Sequence, residues 1–255
     1  MAEVKYHNAA GRLLALLQTL DKDKKHNQTG VKAWAAAFRC DAQLEPVLLN
    51  LTYAIQLLRE TEEEIHEFRP TERIDPVWIR PIPKIQTLLF HGNLAADYQS
   101  LLVSTFESNT LGLLEFVADG LPQETAIPVT DLESIRSQAN ELFAEVKRSK
   151  LPEGIKKWIL EMLAGIIEAI NTYHIRGAKG LRKACKSMLA DLLDHYGDVA
   201  EVKAKEPSLM GKLKKLLEQA DTLSAAASKI DRLVNTVAKL SENPVVQAAI
   251  GLLTN

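Results

Sequence analysis

Apolar residues recur along this chain at steps of three and four, the spacing that lines up side chains on one face of an α-helix. Leu13, Leu14, Leu16, Leu17 and Leu20 predict a first helix, followed by a polar loop, DKDKKHNQTG. A short helix over 31–40 carries Trp34 and Phe38. Leu44, Val47, Leu48, Leu51, Ile55, Leu58, Ile65 and Phe68 then mark a long helix that stops at Pro70. The stretch 69–83, RPTERIDPVWIRPIP, holds four prolines. Proline lacks a backbone donor and biases its predecessor away from helix, so this stretch reads as an extended connection packed through Trp78.

Helix resumes after Pro83 and runs to Phe106, with a break near Gly92; TLGLLEFVADG is a further short helix and GLPQETAIPV a loop. Thr130 and Glu133 fit a capping box, which opens a helix that ends near Arg148. Pro152 marks the next break and suits a first helical position. Two apolar runs, ILEMLAGIIEAI and SMLADLLDHY, flank the basic stretch YHIRGAKGLRKAC. From Leu209 the apolar positions are Leu209, Leu213, Leu216, Ala220, Leu223, Ala227, Ile230, Val234 and Val237. Their steps alternate four and three, a sustained heptad that calls for a partner helix. That partner is either inside the monomer, in a second copy, or in another protein. Pro244 separates a last apolar helix, VVQAAIGLL, which docks into the core, a partner groove or a membrane surface.

The pattern predicts an all-α fold, an irregular multi-helix bundle of about nine or ten helices with a long C-terminal heptad-patterned helix. A soft boundary near 150 separates an N-terminal helical region, 1–150, from 151–255, which holds a basic helical hairpin, the heptad helix and the apolar C-terminal helix. One continuous domain also fits the length.

Composition agrees with this. The chain has 255 residues, 46% hydrophobic but only 5% aromatic, with few glycines and clustered prolines. Leu and Ala favour helix, and no alternating β-branched run is present. Cys40 and Cys185 are far apart and suggest a reducing compartment rather than a disulfide framework. No run of about 18 apolar residues exists, so no transmembrane segment is expected. The N-terminus lacks a cleavage signature, and the expected location is cytoplasmic.

A net charge of −2 argues against a nucleic-acid coat, yet the charge is segregated. Residues 97–146 hold nine acids and one base, whereas 147–186 hold ten bases and three acids. The basic block is either a solvated face or a surface for phosphate or an acidic partner.

Within that block Arg176, Lys179, Arg182 and Lys183 surround Gly177 and Gly180. Glycine-rich backbone at a helix N-terminus exposes amides to an anion, and these four bases would add charge. The competing expectation is an αα-hairpin turn, with Gly177 as a left-handed C-cap. A second candidate is RETEEEIH, in which Arg59 and His66 are separated by six residues. This spacing is similar to that of helical nucleases of the HEPN class. The resemblance implies an arginine and a histidine from paired helices acting on a ribose 2′-hydroxyl and the adjacent phosphate. Glu60 directly after the arginine departs from it, and the four glutamates between the pair would repel RNA. Glu63 and His66 have Glu-x-x-His spacing, but di-iron bundles need that motif twice, and no metal site or cofactor is expected. The Asp191, Asp194 and His195 group reads as a surface cluster.

The expected function is a non-enzymatic helical interaction or scaffold protein with a protein partner or self-association. It would act through the heptad helix or the basic 147–186 face. The alternatives are a HEPN-like ribonuclease or toxin effector using Arg59 and His66, which would bring nucleic acid as a partner, or an anion or nucleotide sensor at 176–183.

Overall fold

The computed structural model describes residues 5–23, 29–68, 76–91, 94, 102, 105–106 and 109–227. The heptad positions Ile230, Val234 and Val237 and the apolar C-terminal segment lie outside the described residues. Among the described residues the regular elements are all helices. They are α1 (Ala9–Asp23), α2 (Gly30–Phe38), α3 (Leu44–Phe68), α4 (Pro76–Ile79), α5 (Ile82–Leu89), α6 (Thr110–Gly120), α7 (Val129–Arg148), α8 (Glu153–Asn171), α9 (Tyr173–Asp194), α10 (Tyr196–Lys205) and α11 (Pro207–Ala227). The fold is all-α, a multi-helix bundle. No described helix is long and apolar enough to cross a membrane.

The chain forms two compact units, residues 1–124 with 174–177, and residues 125–173 with 178–255. Residues around 150, where composition shifts, form the connection between α7 and α8 inside the second unit.

Unit 1 is built around α1. Ala9, Ala10, Leu13, Leu14, Leu16, Leu17 and Leu20 are all buried. A helix apolar on nearly every side belongs at the centre of its unit, and α1 packs on α2, α3 and α6. Asn8 is its N-cap: the side-chain oxygen accepts from the Gly11 N–H at 2.8 Å, while its amide donates to the Ala118 carbonyl at 2.8 Å. One side chain thus caps α1 and ties it to the end of α6.

The long helix α3 turns Val47, Leu51, Leu58 and Ile65 inward as expected and leaves Ile55 partly buried, but Leu44, Leu48 and Phe68 are exposed, and Ala54 joins the inward stripe unexpected. Its inward stripe also takes Asn50, Leu57 and Thr61. Periodicity alone fixes a stripe only to within a residue or so; the neighbours choose its centre. The Pro-rich connection is also more helical than expected. A turn of helix, α4, covers Pro76–Ile79, and α5 starts at Ile82 with Pro83 in its first turn. Proline is tolerated there because first-turn N–H groups have no intrahelical partner. Trp78 is buried, as expected.

In unit 2, α7 begins at Val129 behind Pro128, and no side chain caps it. The expected Thr130–Glu133 box does not form, because the helix starts ahead of Thr130: Pro128 is the N-cap, its carbonyl accepting from Asp131 and Leu132 at 3.0 and 3.2 Å. Helices α7 and α8 pack through Ile135, Ala139, Leu142 and Val146 on one side and Ile155, Ile159, Leu163 and Ile166 on the other. Helix α11 lies on α7 and α10. The α10 helix was not expected; it adds only Val199 and Val202 to the core, too few for a periodic signal.

Candidate functional site

An open concavity on unit 2 lies where α7 ends and α8 begins. Ser149 closes α7, its hydroxyl donating to the Val146 carbonyl at 2.8 Å. Pro152 then precedes α8, whose first turn carries Glu153. The short connection folds α8 back on α7 and leaves an open groove of about 630 Å³ between their outer faces. Phe143, Leu160 and Ala164 supply its apolar surface, with Lys147, Lys156 and Lys157 as the basic lining and Glu153 and Glu161 as the acidic one.

The lysines are held differently. The Lys147 ammonium lies 4.7 Å from the centre of the Phe143 ring, a cation–π contact that keeps it beside the apolar floor. Lys156 lays its stem against the protein and donates to Glu153 at 2.9 Å. Lys157 is well exposed, 3.9 Å from Glu161. Such solvent-screened pairs are worth about 0–1 kcal/mol each. An incoming carboxylate therefore displaces them at little cost. The groove combines an apolar strip with positive charge, which suits an amphipathic acidic segment.

The anion quartet is divided. Arg176 belongs to unit 1, where its guanidinium sits 4.5 Å over the Tyr53 ring. Lys179, Arg182 and Lys183 belong to unit 2. Arg182 is buried and donates to the Ser224 carbonyl at 2.8 Å, so it fastens α9 to α11. Lys179 and Lys183 are exposed. The expected hairpin turn also takes another form. The chain turns at Thr172, one helical turn covers 173–176, and Gly177 kinks the helix with φ 59 and ψ −163. Its φ is positive, as a left-handed cap requires, but its ψ lies in a region that essentially only glycine enters.

Arg59 and His66 both lie exposed on α3. Seven residues of helix separate them by about 10.5 Å along the axis. Glu63, also exposed, stands beside His66. Among the described residues no group of three His, Cys, Asp or Glu is placed to hold a metal ion. Of the heptad set, Leu209, Leu213, Leu216 and Ala220 are buried inside unit 2, and Leu223 packs partly buried against the same core. Cys185 is buried, and burial pushes its thiol up to about 12, so it stays protonated as a small apolar group.

Sequence reading missed a buried polar cluster in unit 1. Arg12, 6% exposed, pairs with Glu124 at 2.9 Å and Glu60 at 3.6 Å. Glu64 accepts from the Ala9 N–H at the start of α1 at 3.1 Å. Burial pushes the Glu64 carboxyl up to about 7; Glu124 and Glu60 push the same way, against the Ala9 N–H and Arg12. The side chains come from three separate stretches of sequence, α1, α3 and the segment after α6, so no spacing announces the cluster. The groove was equally silent, because Phe143 and Leu160 become neighbours only after α7 and α8 pack. Compared with known proteins, the chain matches no family model, no curated sequence and no solved structure.

Proposed function

We propose that this chain is a helical interaction protein that binds an acidic amphipathic segment of a protein partner along the α7–α8 groove. The observation that carries the reading is the combination, in one groove, of half-buried Phe143 and Leu160 with Lys147, Lys156 and Lys157. The groove lies in the stretch where ten bases outnumber three acids, so long-range attraction and short-range packing favour the same kind of ligand. Peptide helices that dock in grooves use this arrangement of apolar anchors with charged flanks. The heptad helix contributes its buried residues to the unit itself, and the partner meets the opposite side of α7 and α8.

The test compares what the tagged chain recovers from its host with what the Lys147→Glu/Lys157→Glu variant and the Leu160→Ser variant recover. A stoichiometric protein lost from both variants, with binding to wild type that weakens as salt rises, is the expected result. Recovery of the same proteins by all three forms would remove the groove from the reading. Recovery of RNA or nucleotide instead of protein would replace the acidic segment with a phosphate ligand.

A further inference from the structure

The chain leaves unit 1 after Glu124 and returns to it for 174–177 alone, a single turn at the start of α9. That turn is firmly seated. Ile175 is fully buried in the unit 1 core, and Arg176 lies over the Tyr53 ring. Gly177 stands so close to Arg12 that an added Cβ would lie 2.7 Å from its Cζ. The same guanidinium pairs with Glu124 at 2.9 Å. One buried arginine on α1 therefore touches both stretches from which unit 1 hands the chain on.

Three carboxylates surround that arginine. Glu60 and Glu64 are one turn apart on α3, and Glu124 belongs to the segment after α6. Glu60 lies 3.6 Å from Arg12, and Glu64 accepts from the Ala9 N–H at 3.1 Å. With Glu64 protonated, two carboxylates share one guanidinium; with it ionised, three do. The added charge repels the other two, and the least constrained group yields. That group is Glu124. Its side chain is 31% exposed against 22% for Glu60, and it stands on non-helical backbone, whereas α3 fixes the other two. Of the other charged residues on the elements packed here, Glu115 of α6 pairs with Lys5, and Asp119 of α6 and Arg59, Glu63 and His66 of α3 are exposed. Glu62 of α3, His7 before α1 and His174 beside Ile175 are half-buried.

We propose that the Arg12 cluster is a pH-responsive latch: a proton on Glu64 keeps Glu124 fastened to Arg12, and loss of that proton frees Glu124 and loosens the 174–177 turn that rests on the same guanidinium. The direction follows from where the carboxyl titrates. In the latched form burial pushes it up to about 7, against the Ala9 N–H and Arg12; once released it returns toward its ordinary 4.5. The latch is therefore tight below about pH 4.5, loosens as pH rises toward 7 and changes little above that.

The test is hydrogen–deuterium exchange of the full chain between about pH 5 and about pH 8, corrected for intrinsic exchange and read peptide by peptide. The Glu124 N–H, which donates to the His7 carbonyl at 3.0 Å, is the direct reporter. Its protection and that of 174–177 should fall about tenfold over this range and level off above 7. Glu64→Gln holds protection at its low-pH level throughout. Glu60→Gln removes one repelling charge and ends the fall at lower pH, which decides the matter if Glu64→Gln does not fold. Histidine is the side chain that ordinarily titrates near neutrality, so His7→Gln and His174→Gln are the controls and keep the fall. Protection that ignores pH overturns the inference. So does a fall that persists in Glu64→Gln, disappears in either histidine variant, or runs equally through α7 and α8.

Discussion

Replacing Gly177 with alanine perturbs two things at once. The residue has φ 59 and ψ −163, where a side chain costs about 1–3 kcal/mol. The new Cβ would also lie 2.7 Å from Cζ and Nη1 of Arg12. Arg12 cannot swing away freely, because it is buried and held by Glu124 at 2.9 Å and Glu60 at 3.6 Å. Displacing it by a few tenths of an ångström weakens charge-assisted bonds, at about 1 kcal/mol more. The expected loss is about 2–4 kcal/mol. Urea unfolding followed by tryptophan fluorescence measures it. In a Trp158→Phe background the remaining reporters, Trp34 and Trp78, both lie in unit 1 with Gly177. Gly165→Ala is the control, measured with Trp158 in place because both belong to unit 2. Nothing lies within 4 Å of its added Cβ in α8, so the change should stabilise by about 0.5–1 kcal/mol. A Gly177→Ala protein within about 0.5 kcal/mol of its parent would refute the reasoning, as would an equal loss in the control.

Glu64→Gln tests the buried cluster through pH. The folded-state carboxyl titrates near 7, above its ordinary value of 4.5, so the folded protein holds this proton more tightly. Its contribution is therefore full below about pH 4.5 and is lost as pH rises through 7. Allowing for its partial exposure, glutamine should stabilise by about 1–2 kcal/mol at pH 8 and change little at pH 5. Denaturation midpoints at the two pH values decide it, and a variant less stable at pH 8 contradicts it. Leu216→Asp should cost about 3–5 kcal/mol, because it buries a carboxylate in the core of unit 2 at a position 1% exposed. A wild-type thermal midpoint for that variant would return the heptad face to the surface.

The helical class was legible because apolar steps of three and four persist over long segments, as in α1, α3 and α8. The face of each helix was less so. Leu44, Leu48 and Phe68 fit the same period as Val47 and Leu51, yet only the latter pair meet α1 and its neighbours. Helix α10 escaped because two valines make no period. The heptad was legible as far as Leu223, but a heptad specifies a partner helix without saying which, and here α7 and α10 serve. At Gly177 composition announced the positive φ; the ψ depends on how 174–177 pack in unit 1. The Arg12 cluster and the groove were illegible for one reason. Their residues are distant in sequence, and proximity is a property of the packed chain.

The α7–α8 groove is separable from the fold that carries it. Lys147 and Lys157 are solvent-facing and lie outside the core, so substitutions there alter binding without the several kcal/mol that core changes such as Leu216→Asp entail. Attraction at the groove comes from lysines whose fields are screened within about 8 Å at physiological ionic strength, so binding weakens as salt is added. A salt titration therefore tests the groove before any partner is identified, and a complex that added salt leaves intact is not held there.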